Sequence, residues 1–274
     1  MTLSEADIIN KSPSPATVAS LTKDLRNLGV SPGMTLLVHS SLSALGWVCG
    51  GPVAVIRALE GALGEASTMV MPAFCGEYSD PAYWKNPPVP EAWWQTIRDE
   101  MPVFDSDLTP TRWMGTIAET FRKQPGTMRS GHPQVSFAAR GPLAADIVSN
   151  HPLDYALGDE GPLGRLYDLG ANILLLGVGW GNNTSLHLAE YRSSCPGKRI
   201  ERSGAPVMED GRRVWKELED FGGDSADFEK IGTDFELAYA ETIGVGRVGL
   251  ARVRLMPCRI LVDYAMAWMT AYRK

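Results

Sequence analysis

Cysteine is scarce and scattered in this chain. Its 274 residues include four, Cys49, Cys75, Cys195 and Cys258, and no two form a C-x-x-C pair. That pattern argues against a zinc ribbon or a disulfide framework, and reduced thiols in a cytoplasm are the expectation. Histidine is as sparse, also four residues. His132 and His151 each precede a proline, read as loop residues and are spaced like no metal motif, so no metal is expected. No apolar run approaches the ~20 residues of a membrane helix. The opening Met1–Asp7 stretch has neither the basic nor the apolar segment of a secretion signal. Basic runs are absent and the net charge is −6, which speaks against nucleic acid as a partner. The Walker loop, G-x-G-x-x-G and G-x-S-x-G are missing too, so no nucleotide-fold or hydrolase-elbow label applies.

What remains is an ordinary composition, 44% hydrophobic and 21% charged. The length suits one large α/β domain over residues 1–274. Apolar and polar spacing predicts a helix over 14–29, a strand over 35–39, a helix from Gly51 to about Leu63 and a strand over 68–71. Further elements follow: a helix over 114–124, a short strand over 136–139, helices over 142–150 and 163–169, and a strong strand over 173–178. A hairpin is expected around Glu209-Asp210-Gly211. A helix over 227–242, a strand over 246–255 and a terminal helix over 258–272 complete the pattern. Alternating helices and strands argue for a layered sheet. Residues 75–112 break it, being rich in Trp, Pro and acids. This insertion reads equally as a lid, a subunit contact or an excursion packed onto the body.

Chemistry concentrates after the strong strand. Gly177-Val178-Gly179-Trp180-Gly181 lets the chain turn sharply. Asn182-Asn183-Thr184-Ser185 can then cap a helix. On that helix His187 and Glu190 are three residues apart and share a face. An imidazole beside a carboxylate near a strand end makes an oriented general base, and the other reading is a surface ion pair. A second junction, His39-Ser40-Ser41-Leu42-Ser43, lies between a strand and the Gly50-Gly51-Pro52 helix start. Its backbone N–H groups and hydroxyls suit phosphate oxygens, unless it is an ordinary serine-rich turn with a core histidine. Ser40 or Ser41 acting as a thioester or amide hydrolase nucleophile with His187 is the remaining alternative.

Three stretches, taken in register, resemble the aminoglycoside 3-N-acetyltransferase family. They are Leu36–Leu42, Thr109–Glu119 continuing to Arg129–Pro133, and Leu174–Gly179 with Asn183–Glu190. The similarity spans roughly residues 15 to 272. It implies a layered α/β/α sandwich with a central mixed sheet, of the antibiotic N-acetyltransferase type and distinct from the GCN5-related acetyltransferases. It implies acetyl-coenzyme A as donor and a 2-deoxystreptamine aminoglycoside, modified at its 3-amino group, as acceptor, hence antibiotic resistance. It implies His187 as general base and Glu190 as its orienting partner. His39, Ser40, Ser41, Leu42 and Ser43 would hold the coenzyme A pyrophosphate, and Thr109, Met114, Gly115 and Thr116 would line the same groove. Thr184 or Ser185 would stabilise the oxyanion, and His132 would lie in a matching loop without a catalytic role. A polycationic acceptor needs carboxylates, and Glu77, Asp80, Asp154, Asp159 and Glu160 lie in loops that can supply them. Phe74-Cys75 departs from the small polar residue of similar sequences, which leaves another amine open as acceptor. A monomer or homodimer is expected.

Overall fold

The computed structural model describes residues 4–196 and 198–273. In chain order its elements are α1 (Glu5–Lys11), α2 (Val18–Leu28), β1 (Thr35–Ser40), α3 (Gly51–Leu63), β2 (Thr68–Pro72), α4 (Trp94–Glu100), α5 (Gly115–Arg122), β3 (Met128–Arg129), β4 (Phe137–Arg140), α6 (Ala144–Val148), α7 (Pro162–Asp168), β5 (Asn172–Leu176), α8 (Ser185–Arg192), β6 (Ile200–Glu209), β7 (Arg212–Phe221), α9 (Phe228–Ala238), β8 (Gly244–Val248), β9 (Ala251–Pro257) and α10 (Cys258–Tyr272).

Among the described residues, seven strands form one sheet in the order β3-β4-β2-β1-β5-β9-β8. β1 runs parallel to β2 and β5, and the outer pairings are antiparallel. The sheet is therefore mixed. Its central strands are apolar on both faces, as strands covered on both sides must be. Successive residues point to opposite faces: Leu36 and Val38 pack with α2, α3 and α5, while Leu37 packs with residues of α6 to α10. Two separate cores follow, one per face, which is the α/β/α sandwich that the resemblance implied.

Local chemistry explains where the helices begin and end. Thr17 caps α2 through Ser20 N–H, so the helix starts at Val18 rather than at 14, and Gly29 closes it in the left-handed region at φ 111°. The expected strand over 246–255 is two strands, β8 and β9, paired across a turn at Gly249-Leu250. Gly249 has φ 55°, which bends the chain while the neighbouring apolar residues keep an unbroken strand-like pattern. A helix at 5–11 was not expected from the sequence. A Ser4–Asp7 capping box starts it, and it buries no residue.

The 75–112 excursion is fastened to the sheet and to the β6–β7 hairpin. The Arg129 guanidinium donates to the carbonyls of Ala73, Ser106 and Thr109 and stacks 4.8 Å from the Phe104 ring. Arg98 is held by both carboxylate oxygens of Asp80, and Arg213 of β7 donates to the Arg98 and Met101 carbonyls. Tyr83 and Trp93 remain exposed, so its aromatics divide between packing and solvent. The four cysteines are free thiols, three of them buried.

Trp180 locks α9 to the sheet. Its indole is 1% exposed and lies where a Cβ on Gly232 would come within 2.0 Å of it. A Gly232→Ala substitution overpacks this contact, with an expected loss of about 1–3 kcal/mol. Urea unfolding measures it, and an unchanged midpoint would show that α9 is free to shift away.

Candidate active site

The site lies at the carboxyl ends of the central strands. β1 delivers His39 and Ser40, and β5 ends at Leu176. Gly177 follows with φ 74°, and a Cβ there would meet Ala44 Cβ at 2.6 Å, so only glycine lets the chain turn here. The next turn is fixed by Glu229 of α9, whose carboxylate accepts the Gly181 N–H at 2.9 Å. The Asn183 side-chain carbonyl accepts the Ser185 N–H at 3.2 Å and opens α8, as the polar cluster suggested.

α8 places His187 and Glu190 one turn apart. Glu190 is 5% exposed, which rules out a solvated surface ion pair. Glu190 Oε2 lies 2.5 Å from His187 Nδ1. Its other oxygen accepts from Arg273 at 2.6 Å and from the Asp224 N–H at 3.1 Å. Arg273 in turn holds both oxygens of Asp227. The Nδ1–H of a neutral His187 thus points at a carboxylate, leaving the Nε2 lone pair for a proton. The ring meets Phe228 edge-on with centroids 4.9 Å apart. Gly223 closes over the pair, where a Cβ would lie 3.2 Å from His187 Nδ1.

At the carboxyl end of β1, and along the β5–α8 loop through Val178 and Asn182, runs a groove of about 650 Å³; neither His187 nor Glu190 lines it. Ser40, Ser41, Leu42, Ser43, Met114, Gly115 and Thr116 all line it. Trp47, Val48 and Trp113 line it too, and the sequence reading missed them. Two helices start at its wall, α3 at Gly51 and α5 at Gly115, and neither N-terminus has a side-chain cap. At α5 the first-turn N–H groups remain for anionic oxygens, whereas at α3 the Gly51 N–H already bonds the Val48 carbonyl and Pro52 has none. His39 lies in a smaller adjoining cavity and is 7% exposed. Thr109 does not reach the groove. It is buried, its hydroxyl accepts the Asp105 N–H, and its carbonyl binds Arg129. Its role is to shape the excursion.

The remaining sites sort by their partners. Asp80 is committed to Arg98 and Asp159 to Arg192. Asp154 accepts the Glu219 N–H, Glu77 stands 3.7 Å from Arg112, and Glu160 is exposed. Thr184 lines the small cavity, whereas Ser185 is fully buried. No serine hydroxyl bonds His187 among the described residues; Ser41 and Ser43 face each other at 3.3 Å. Phe74 packs edge-on against Phe137 and Cys75 is 0% exposed, so that pair shapes the core rather than the acceptor entrance. Asp220, another residue the sequence reading missed, receives the Tyr191 hydroxyl, and burial raises its carboxyl to about 6. Tyr191 sits one turn beyond His187, a spacing that was visible in the sequence, but its partner on a distant hairpin was not.

A model of the aminoglycoside 3-N-acetyltransferase family matches residues 37–270. The chain belongs to that family. It is 46% identical, over 95% of each chain, to the SPbeta prophage-derived aminoglycoside N(3')-acetyltransferase-like protein YokD of Bacillus subtilis. The crystal structure of YokD superposes with a TM-score of 0.94, at 44% identity over 97% of this chain and 98% of that one. Aminoglycoside N(3)-acetyltransferase VII of Streptomyces paromomycinus is 36% identical over 97% of this chain and 96% of its own. Two further family structures superpose well: AAC-IIIb with CoASH has a TM-score of 0.84 at 30% identity over 94% and 97% of the chains, and AAC-VIa bound to sisomicin has 0.84 at 30% over 95% and 99%.

His132 and His151 are structural in this family member. His132 Nδ1 accepts two backbone N–H groups and its Nε2 faces the Leu153 carbonyl. His151 bridges Ser130 and the Ala156 carbonyl. Burial pushes His132 down to about 4, and His39 and His151 to about 3. All three are depressed below the ordinary 6.5 of an unfolded chain. Their contribution to stability is therefore complete above about pH 6.5 and declines as the pH falls toward the folded values. Thermal unfolding between pH 7.5 and 5 should show a falling Tm, and a flat profile would contradict neutral burial.

Proposed function

We propose that the chain is an acetyl-coenzyme A-dependent N-acetyltransferase acting on the 3-amino group of 2-deoxystreptamine aminoglycosides, with His187 as general base and Glu190 as its orienting partner. Family membership supports acetyl transfer to aminoglycosides. The observation that carries the mechanism is the enclosed Glu190 carboxylate, 2.5 Å from His187 Nδ1 and anchored by Arg273.

The groove fits the donor. Two uncapped helix N-termini and the Ser40, Ser41 and Ser43 hydroxyls converge on it, which is what pyrophosphate oxygens require. A family structure holds CoASH. The acceptor is a polycation, and a family structure holds sisomicin. Asp154 and Glu160 have no salt-bridge partner among the described residues and would bind its ammonium groups, as would Glu77, which Arg112 meets at 3.7 Å. Asp80 and Asp159, already paired with arginines, would act indirectly by holding their loops.

Only a neutral amine attacks a thioester. His187 Nε2 takes the amine proton as the new C–N bond forms. The C–S bond then breaks, and the thiolate leaves with the electron pair and is protonated. Glu190 keeps the Nδ1–H tautomer and balances the imidazolium that forms. Thr184 lines the small cavity and would stabilise the oxyanion.

His187→Ala should lower kcat by at least ~10²-fold with little change in coenzyme A affinity. Glu190→Gln should cost less, because the proton acceptor itself remains. The assay is thiol release from acetyl-coenzyme A with gentamicin, kanamycin and apramycin. Near-normal kcat in His187→Ala would remove the base assignment, and thiol release without any acceptor would favour a hydrolase.

A further inference from the structure

A small cavity of about 80 Å³ opens beside the groove and shares Trp113, Met114 and Val178 with it. Its remaining wall includes Val38, His39 and Ala118, with Thr184, the residue just before α8, at one side. No carboxylate, lysine or arginine lines it. It is about one eighth the volume of the groove.

His39 is the odd member of this wall. Its Nε2 is enclosed and has no hydrogen-bond partner. Burial holds the ring neutral, near pKa 3. A polar atom enclosed without a partner is uncommon in a folded chain, and next to a cavity it marks a place where a ligand supplies that partner. Trp113 adds a second irregularity. Its backbone is left-handed, at φ 60°, and its side chain is 75% exposed, so core burial does not hold it there. The Arg112 guanidinium stacks over the indole at 4.8 Å, and the ring walls both the groove and the cavity.

We propose that this cavity seats the acyl group of the thioester donor, limits its length, and presents the His39 imidazole to the acyl carbonyl. The inference rests on the acetyl-transfer reading and deepens it: the site selects its donor by chain length. Val178 and Ala118 set the depth, and Trp113 forms the lip between the groove and the cavity.

The test compares acetyl-, propionyl- and butyryl-coenzyme A in aminoglycoside-dependent thiol release. In the unmodified protein, kcat/KM should fall at least ~10-fold between acetyl and butyryl, the size of effect that surplus methylenes have in a closed pocket. Val178→Ala should raise the butyryl-to-acetyl ratio by about 10-fold, a ratio that a general folding defect leaves unmoved. His39→Leu removes the enclosed Nε2 at similar volume. It should leave Tm unchanged or higher and lower kcat/KM for acetyl-coenzyme A at least ~10-fold, mostly in kcat. A flat chain-length profile, or a Val178→Ala ratio like that of the unmodified protein, overturns the acyl pocket while leaving acetyl transfer intact. Normal turnover in His39→Leu overturns the role given to the imidazole. Thiol release with none of the three donors overturns the acetyl-transfer reading itself.

Discussion

Glu190 carries its charge where water hardly reaches. An enclosed carboxylate is costly unless its oxygens are satisfied, and here every partner is supplied: His187 on one oxygen, Arg273 and the Asp224 N–H on the other. The arrangement of much of the molecule follows from meeting that need. α10 must end beside α8 so that Arg273 reaches Glu190, and Asp227 must open α9 so that Arg273 is held in turn. The loop after β7 must pass close enough to donate from Asp224, which brings Gly223 so near that a Cβ there would lie 3.2 Å from His187 Nδ1. With Glu190 fixed on both sides, the imidazole has one orientation and one free nitrogen. A lone histidine on a helix would have neither.

The sheet supplies the other half of the design. β1 and β5 run parallel, so the loops following both emerge at the same edge. One loop carries the serines toward the groove, and the other turns into α8. Donor groove and base are therefore neighbours by topology, with no long connection needed between them. The glycine at 177 and the indole at 180 make the second loop tight and fixed, one by permitting the turn and the other by filling the space against α9. The excursion from 75 to 112 is bound by backbone carbonyls to Arg129 and by Arg213 to the hairpin, and the 113–116 segment that follows forms one wall of the groove.

Much of this was legible in the sequence. The double-sided apolar runs at 35–39 and 173–178 name central strands, observed at 35–40 and 172–176, because only strands covered on both faces lack alternation. The spacing of His187 and Glu190 named the pair, and the glycines before it named the turn. Local patterns do not carry long-range partners. Arg273 lies 83 residues from Glu190, and no periodicity links them. The acidic loops were visible as charges, yet whether a carboxylate is free or committed depends on arginines such as Arg98 and Arg192 that fold places beside them. Thr109 looked like groove because it precedes the groove residues, whereas its hydroxyl turns back to fix the Asp105 loop. The β8–β9 turn was hidden for the opposite reason: its flanking residues remain apolar, and a glycine alone does not announce a reversal.

The central claim is that Glu190 holds His187 in one tautomer with Nε2 ready for a proton. Nitrogen-15 NMR of the histidine side chains at neutral pH reads that tautomer directly. The expected spectrum shows His187 protonated at Nδ1 and bare at Nε2, with the preference lost in Glu190→Ala. A neutral His187 protonated at Nε2 in the unmodified protein would contradict the account, since that ring has no lone pair left for the acceptor amine.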